Sequence, residues 1–401
     1  MLKDKLLDYV QYETTSSAES ESSPTTSCQF DLARHLLSQL EEMGVKETLL
    51  DEYCYVYGYL EGDPEYQTLG LIAHMDTSPQ ASGKNVKPKM IENYDGKDIV
   101  LDNGIVTSVE RFPNLKNYID KTLMVTDGNT LLGADDKAGV AIIMEVLETL
   151  ISHPEIKHGP VRICFTPDEE VGKGTAHFDY DRFKVDYAYT VDGDEPNNIA
   201  YENFNGAASD VEITGILVHP GSAKDIMVNA LTVAHEFHDM MDKDAVPEKT
   251  QGYEGFNMLE HLSGDVAKAK LHYIIRNHDA DKLEKQKHDF EIIRDKLNEK
   301  YGYEAVKVEI KDSYRNMKEK FVGHEDIIDL VKKAMANIGL DYKEIAIRGG
   351  TDGAVLTWNG ILCPNIGTGG QNFHGVHEFW CKEDGEKVVE LILEMLKMAK
   401  K

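Results

Sequence analysis

Thr68-Leu-Gly-Leu-Ile-Ala-His74-Met-Asp76-Thr-Ser-Pro79 is the stretch on which the reading of the fold turns. Leu69 to Ala73 is a short apolar run that stops abruptly at polar residues and a proline. That pattern predicts a buried parallel strand delivering side chains at its carboxyl edge. In open α/β sheets ligands bind at that edge. Side chains two apart on a strand share a face, so His74 and Asp76 point an imidazole and a carboxylate into one space, where one can bind metal and the other steer it. An isolated His-x-Asp pair is commoner on surfaces than in metal sites, so its weight depends on partners elsewhere in the chain.

Such partners follow at regular junctions. Leu131-Leu-Gly-Ala-Asp135-Asp136-Lys-Ala-Gly139 opens an apolar-faced helix reaching about Ser152. Capping and the helix dipole favour acids at a helix start, yet two adjacent acids after Gly-Ala exceed what a cap requires. Val161 to Thr166 reads as a strand running into Pro167-Asp168-Glu169-Glu170, and Tyr187 to Val191 as another ending in Asp192-Gly-Asp-Glu195. One such cluster alone reads as a solvated loop. In a doubly wound sheet, however, successive ends converge, and acids gathered with a histidine across one crevice call for a cation.

A chain of 401 residues exceeds one ordinary core, and its 41% hydrophobic and 28% charged residues place it among globular proteins. Its net charge of -28, with no offsetting basic cluster, speaks against nucleic acid and anionic membrane surfaces as partners. Cys28, Cys54, Cys164, Cys363 and Cys381 are scattered, odd in number and without a CxxC pair, the usage of a reducing compartment. No apolar run approaches a signal core or a membrane span, and the expected location is the cytoplasm.

In chain order, amphipathic helices are expected over residues 3–12 and 28–43, separated by the Ser/Thr-rich loop Thr14 to Ser27, and a strand over Tyr53 to Leu60. Ser78 to Val125 is a polar excursion read as loop and edge structure, with short strands at Val86 to Ile91, Ile99 to Leu101 and Thr122 to Val125. From about Asn205 the texture changes to strand Ser209 to Gly215, helix Asp225 to Met241, strand Ala267 to Arg276, helix Asp281 to Tyr301 and strand Ala305 to Lys311. After Lys320 the earlier alternation resumes, with helices over 324–337, 351–358 and 384–399 and strands over 343–347 and 361–366. The expected fold is therefore α/β, a doubly wound, mostly parallel sheet in a discontinuous catalytic domain of residues 1–205 and 315–401, carrying an inserted α+β lid at 206–314.

The returning segment carries Arg348-Gly-Gly-Thr-Asp352-Gly and Gly369-Gly-Gln-Asn-Phe-His374-Gly-Val-His377-Glu378. With these, Ala-His74-Met-Asp76-Thr, Gly-Ala-Asp135-Asp-Lys-Ala-Gly, Pro-Asp-Glu169-Glu170-Val-Gly, Val-Asp192-Gly and His219-Pro-Gly-Ser-Ala-Lys, essentially the whole chain resembles the dizinc exopeptidases. That family includes glutamate carboxypeptidases, aminoacylases and desuccinylases, and the resemblance is to its tripeptide aminopeptidases. It implies that Asp135 bridges two metals, with His74 and Asp192 completing one site and Glu170 and His374 the other. It also implies Asp76 as the carboxylate behind His74, Glu169 as general base, His219 as donor to the oxyanion, and a cis bond between Asp135 and Asp136. Two imidazoles and three carboxylates suit zinc, although cobalt or manganese would be accepted.

Spacing alone leaves His219 a loop histidine and Arg348 a salt-bridge arginine. The Gly-Gly-Thr-Asp-Gly turn beside Arg348 would let its fork of donors clamp a substrate carboxylate. Asn203-Phe-Asn-Gly-Ala adds Asn203 as a second substrate-side candidate. His377, His235, His238 and His261 have no evident partners. No Gly-x-Ser-x-Gly elbow exists, and Val171-Gly-Lys-Gly-Thr175 lacks the upstream glycine of a phosphate loop. The expected activity is removal of the N-terminal residue from tripeptides, by a monomer or homodimer. A deacylase or dipeptidase of the same family would share every metal residue, and a metal-free peptide-binding protein would not need all five ligands and Glu169.

Overall fold

The structure is a computed structural model that describes residues 1–401. The chain divides into two compact units, Met1–Tyr201 with Lys320–Ile345 and Thr351–Lys401, and Glu202–Glu319 with Ala346–Gly350. The division falls within the strands Asn198–Asn203 and Lys343–Ile347.

An eight-stranded sheet organises the first unit, in the order Lys46–Leu50, Val56–Leu60, Val161–Thr166, Leu69–His74, Tyr187–Val191, Asn365–Ile366, Asn198–Asn203, Lys343–Ile347. Its centre is parallel: Leu69–His74 pairs in parallel with Val161–Thr166 on one side and Tyr187–Val191 on the other, and Asn365–Ile366 continues the direction. Antiparallel pairs flank this centre. Every residue of Leu69–His74 is buried, which explains the unbroken apolar run. The helix Ala134–Ser152 packs on that strand, and Leu2–Tyr9 and Lys382–Met398 pack on the helix. A separate cluster of Tyr55, Tyr57, Ile72, Cys164 and Ala188 is closed by Phe178, Phe183 and Leu356. The expected α/β class with a parallel sheet holds.

The polar excursion is more ordered than a loop. Lys89–Ile91, Leu123–Val125, Phe379–Cys381 and Gly370–Gln371 form a four-stranded sheet over a core of Tyr94, Leu101, Leu115, Tyr118 and Phe379. The pairing joins segments far apart in sequence, which a local pattern does not reveal.

The second unit is an antiparallel sheet in the order Phe256–Gly264, Lys268–Asn277, Asn205–Thr214, Val306–Tyr314. Alternation sends Ala207, Val211, Ile213, Leu271, Tyr273 and Ile275 into a core with Phe237 and Phe290 of the helices Ala230–Asp239 and Ala280–Tyr301. Phe256–Gly264 escaped the sequence reading because its register shifts between Leu259 and His261, which breaks the period of two. The first helix starts at Ala230 and not near Asp225, because the Asn229 side chain caps it by accepting the Leu231 N–H. No helix of the chain is long and apolar enough to cross a membrane.

Candidate metal centre

Three neighbouring parallel strands end together. His74 is the last residue of its strand and lies in register with Thr166, just before Pro167-Asp168-Glu169-Glu170, while Tyr187–Val191 ends immediately before Asp192. Asp135 comes from the irregular start of Ala134–Ser152, where Asp135 and Asp136 have non-helical dihedrals and the bond between them is cis, as the resemblance implies. Gly139 lets this helix approach, since a Cβ there would lie 1.9 Å from the Val191 carbonyl oxygen. His374 has a left-handed backbone, φ 66°, in a loop gripped by Asn114, whose amide donates to Gln371 at 3.0 Å and Asn372 at 3.1 Å.

These side chains form two adjoining groups, His74 with Asp135 and Asp192, and Asp135 with Glu170 and His374, with ligand atoms within 4.8 Å of one another. Asp135 belongs to both. Its Oδ1 is 3.1 Å from His74 Nε2 and its Oδ2 3.2 Å from His374 Nε2, so each oxygen serves one imidazole. Glu170 Oε2 lies 3.0 Å from His374 Nε2, and Glu170 Oε1 is buried without a hydrogen-bond partner. Ligand atoms on a tetrahedral zinc with bonds of about 2.0–2.1 Å sit about 3.3 Å apart. The donor set, its separations and the orphaned Glu170 oxygen fit a pair of cations that share Asp135.

Asp76 does more than face His74. The His74 Nδ1–H donates to the Asp76 backbone carbonyl at 3.0 Å, with Asp76 Oδ1 at 3.3 Å, which leaves Nε2 aimed at the centre. Both Asp76 oxygens also accept backbone amides, Oδ1 from Glu169 at 2.9 Å and Oδ2 from Glu170 at 3.2 Å. One carboxylate therefore fixes both the ligand strand and the turn carrying Glu169 and Glu170. Three further acids, to which their sequence motifs assign no role, support the centre. Asp136 accepts the His74 and Gly139 amides, Glu378 accepts those of Leu132, Gly133 and Asp135, and Asp352 accepts the Thr166 hydroxyl. Their signal lay in their position beside assigned residues; their partners are tertiary.

Without a cation the centre would hold protons. Burial, then the Asp135 charge, pushes Glu170 up to about 7 and Asp192 up to about 6. Contacts with Asp135 and Glu170 raise His374 to about 10. Burial alone would lower His74, but Asp135 and Asp76 carry it well above 6.5. Asp135 moves oppositely: burial would raise it, yet His374 and His74 hold it well below the usual carboxylate range. A raised folded value means stability that is present below the unfolded value and lost as pH climbs through the folded one. That window runs from 4.5 to about 7 for Glu170, from 3.8 to about 6 for Asp192 and from 6.5 to about 10 for His374. Cation ligation needs these groups deprotonated and strengthens as pH rises. The gap in Tm between metal-loaded and chelator-treated protein should therefore widen between about pH 5 and about pH 8. A gap that stays constant would contradict the ligand assignment.

The remaining candidates lie in the second unit. His219 is exposed before the turn Pro220–Ser222, and its Nδ1 accepts the Gly221 N–H at 3.1 Å, which leaves the ring proton on Nε2. The Arg348 guanidinium, over the Phe204 and Phe256 rings, donates to the carbonyls of Gly252 and Glu254 and to the Thr250 hydroxyl. Asn203 is buried; its amide donates to the Phe204 and Arg315 carbonyls, and its oxygen accepts the Met317 N–H. His235 pairs with Asp239 and His238 with the Tyr273 hydroxyl, while His377 in the first unit is held by Thr107 and Phe112. Burial pushes the thiols of Cys54, Cys164, Cys363 and Cys381 up, away from nucleophilic use.

The sequence profile of peptidase family M20/M25/M40 matches residues 125–398. Peptidase T of Clostridium novyi (strain NT) is 48% identical over 99% of this chain and 99% of its own length. Among solved structures, aminopeptidase PepT from Bacillus cereus ATCC 10987 superposes with a TM-score of 0.77 at 21% identity, covering 99% of this chain and 98% of that one. A tripeptidase from Staphylococcus aureus subsp. aureus Mu50 gives 0.78 at 22% identity, covering 99% and 97%. With likeness to peptidase T along its full length and a match to the family profile over residues 125–398, the chain belongs to peptidase family M20/M25/M40, in its peptidase T group.

Proposed function

We propose that the protein is a cytoplasmic metallo-aminopeptidase that removes the N-terminal residue from tripeptides, using two divalent cations, zinc by preference. The observation that carries this reading is the Asp135 carboxylate, with one oxygen at each imidazole, set beside the Glu169-Glu170 turn. His74 and Asp192 would hold one cation, Glu170 and His374 the other. The unit built on the eight-stranded sheet is the catalytic domain, and the inserted unit the lid.

When bound, the cations would supply Lewis acidity toward the scissile carbonyl and toward water. Glu169 takes the proton of the attacking water and returns it to the leaving amine. Asp76 acts by holding the His74 tautomer and the Glu169 turn. His219, with its proton on Nε2, donates to the carbonyl oxygen as charge develops there. Arg348 clamps a substrate carboxylate, in exchange for carbonyls of the 250–254 loop. Asn203 supports the substrate side through the backbone it holds. The partners are short peptides, not nucleic acid or membrane, and the protein works as a monomer or homodimer.

A family deacylase or dipeptidase would share the centre, so substrate defines the difference. Metal-loaded protein incubated with di-, tri- and tetrapeptides and N-acyl amino acids should cleave tripeptides fastest, with products identified by mass. Preference for N-acyl amino acids would overturn the reading. His219→Ala should retain both cations and lose about a hundredfold to a thousandfold in turnover. Mixing Glu169→Ala and His219→Ala proteins under subunit exchange then assigns the donor: activity returns if it acts across a dimer, and stays absent if it acts within its chain.

A further inference from the structure

We propose that the Ser/Thr-rich segment from Thr14 to Gln29 is a strap that positions Glu169, acting through Asp168; this rests on the reading of Glu169 as the general base. Asp168 is 1% exposed and its backbone is left-handed, φ 57°, a conformation uncommon for a residue with a side chain. Its carboxylate accepts the Thr25 N–H at 2.8 Å, the Thr25 hydroxyl, and the Gln29 amide at 2.7 Å, all from the strap. The Asp168 N–H donates in turn to Gln29 Oε1 at 3.3 Å. The far flank of the same turn is held by Asp76, through the amides of Glu169 and Glu170.

The other end of the strap grips the second ligand turn. Ser16 N–H donates to the Thr77 carbonyl at 3.1 Å and Thr77 N–H to the Thr14 carbonyl at 3.2 Å, one residue beyond Asp76. Midway, Lys173 Nζ reaches the Ser20 carbonyl at 2.7 Å, just past the Glu169 turn. One segment, buried at both ends, thus spans the turn after His74 and the turn before Glu169, and sets one against the other. The left-handed residue rotates the chain immediately before two consecutive glutamates that must aim apart, one at a cation and one at water. Neutral donors alone satisfy the Asp168 carboxylate, so the strap dictates the angle at which the base emerges.

Thr25→Val removes the hydroxyl but keeps the backbone donor and the volume. It should lower kcat by about tenfold to a hundredfold, as misplacement of a reacting group by a fraction of an ångström does, with KM within about twofold and both cations retained. Thr25→Ser should restore turnover. Gln29→Met removes the other side-chain donor and gives a second route to the same result. In chelator-treated protein, the amides of Glu169 and Glu170 should exchange hydrogen faster in Thr25→Val, while those of the helix Ala134–Ser152 stay protected as in the parent. Faster exchange in a protein whose parent form cleaves no peptide would keep the strap and reject the base. Unchanged turnover and exchange in both variants, or exchange that rises equally throughout the molecule, would overturn the proposal.

Discussion

With Glu169 as the proposed base and Glu170 as a proposed ligand, Glu169→Gln should keep both cations and lose about a hundredfold to ten-thousandfold in turnover, the usual share of a general base, whereas Glu170→Ala should lose a cation. The two carboxyls are neighbours on a turn whose amides are both bound by Asp76, so both backbones are held by the same carboxylate. Glu170 meets His374 at 3.0 Å and falls in a ligand group; Glu169 falls in neither. Metal analysis of each purified variant beside its steady-state kinetics separates the roles. Interchanged phenotypes would reverse the assignment.

Asp135→Ala has the larger effect on composition. Because Asp135 belongs to both candidate ligand groups, its loss would leave each one donor short and should remove both cations, where Asp192→Ala should remove one. It also strips His74 and His374 of the carboxylate that holds their charge, so the variant should be less stable than Asp192→Ala even with chelator present. Metal per chain and Tm after chelation are the measurements. One cation retained by Asp135→Ala would show that the sites do not share it.

Much of this centre was legible because its strands announce their ends. The apolar runs before His74, Glu169 and Asp192 each break sharply into polar residues, and a parallel sheet must bring such breaks to one edge. The second duty of Asp76 was not legible, since its oxygens bind the backbone of a turn almost a hundred positions later and backbone donors leave no mark on residue type. Asp136 and Glu378 were hidden for the same reason, and Asp352 because the hydroxyl it accepts, that of Thr166, lies far away in sequence. Phe256–Gly264 was lost to a bulge, and the sheet joining Leu123–Val125 to Phe379–Cys381 to the distance between its members. The strap shows the same limit: Thr14 to Ser27 looks like a solvated loop until Asp168 is seen to accept from it.

Whether a centre built on Asp135 removes the first residue of a tripeptide is decided by the products of a single substrate. A tripeptide of three different residues is incubated with chelator-treated protein, with the same protein after zinc is restored, and in an N-acetylated form with the restored protein. The free N-terminal amino acid and the remaining dipeptide should appear only from the unblocked peptide with metal restored. Release of the C-terminal residue, cleavage of the acetylated peptide, or undiminished cleavage after chelation would contradict that assignment.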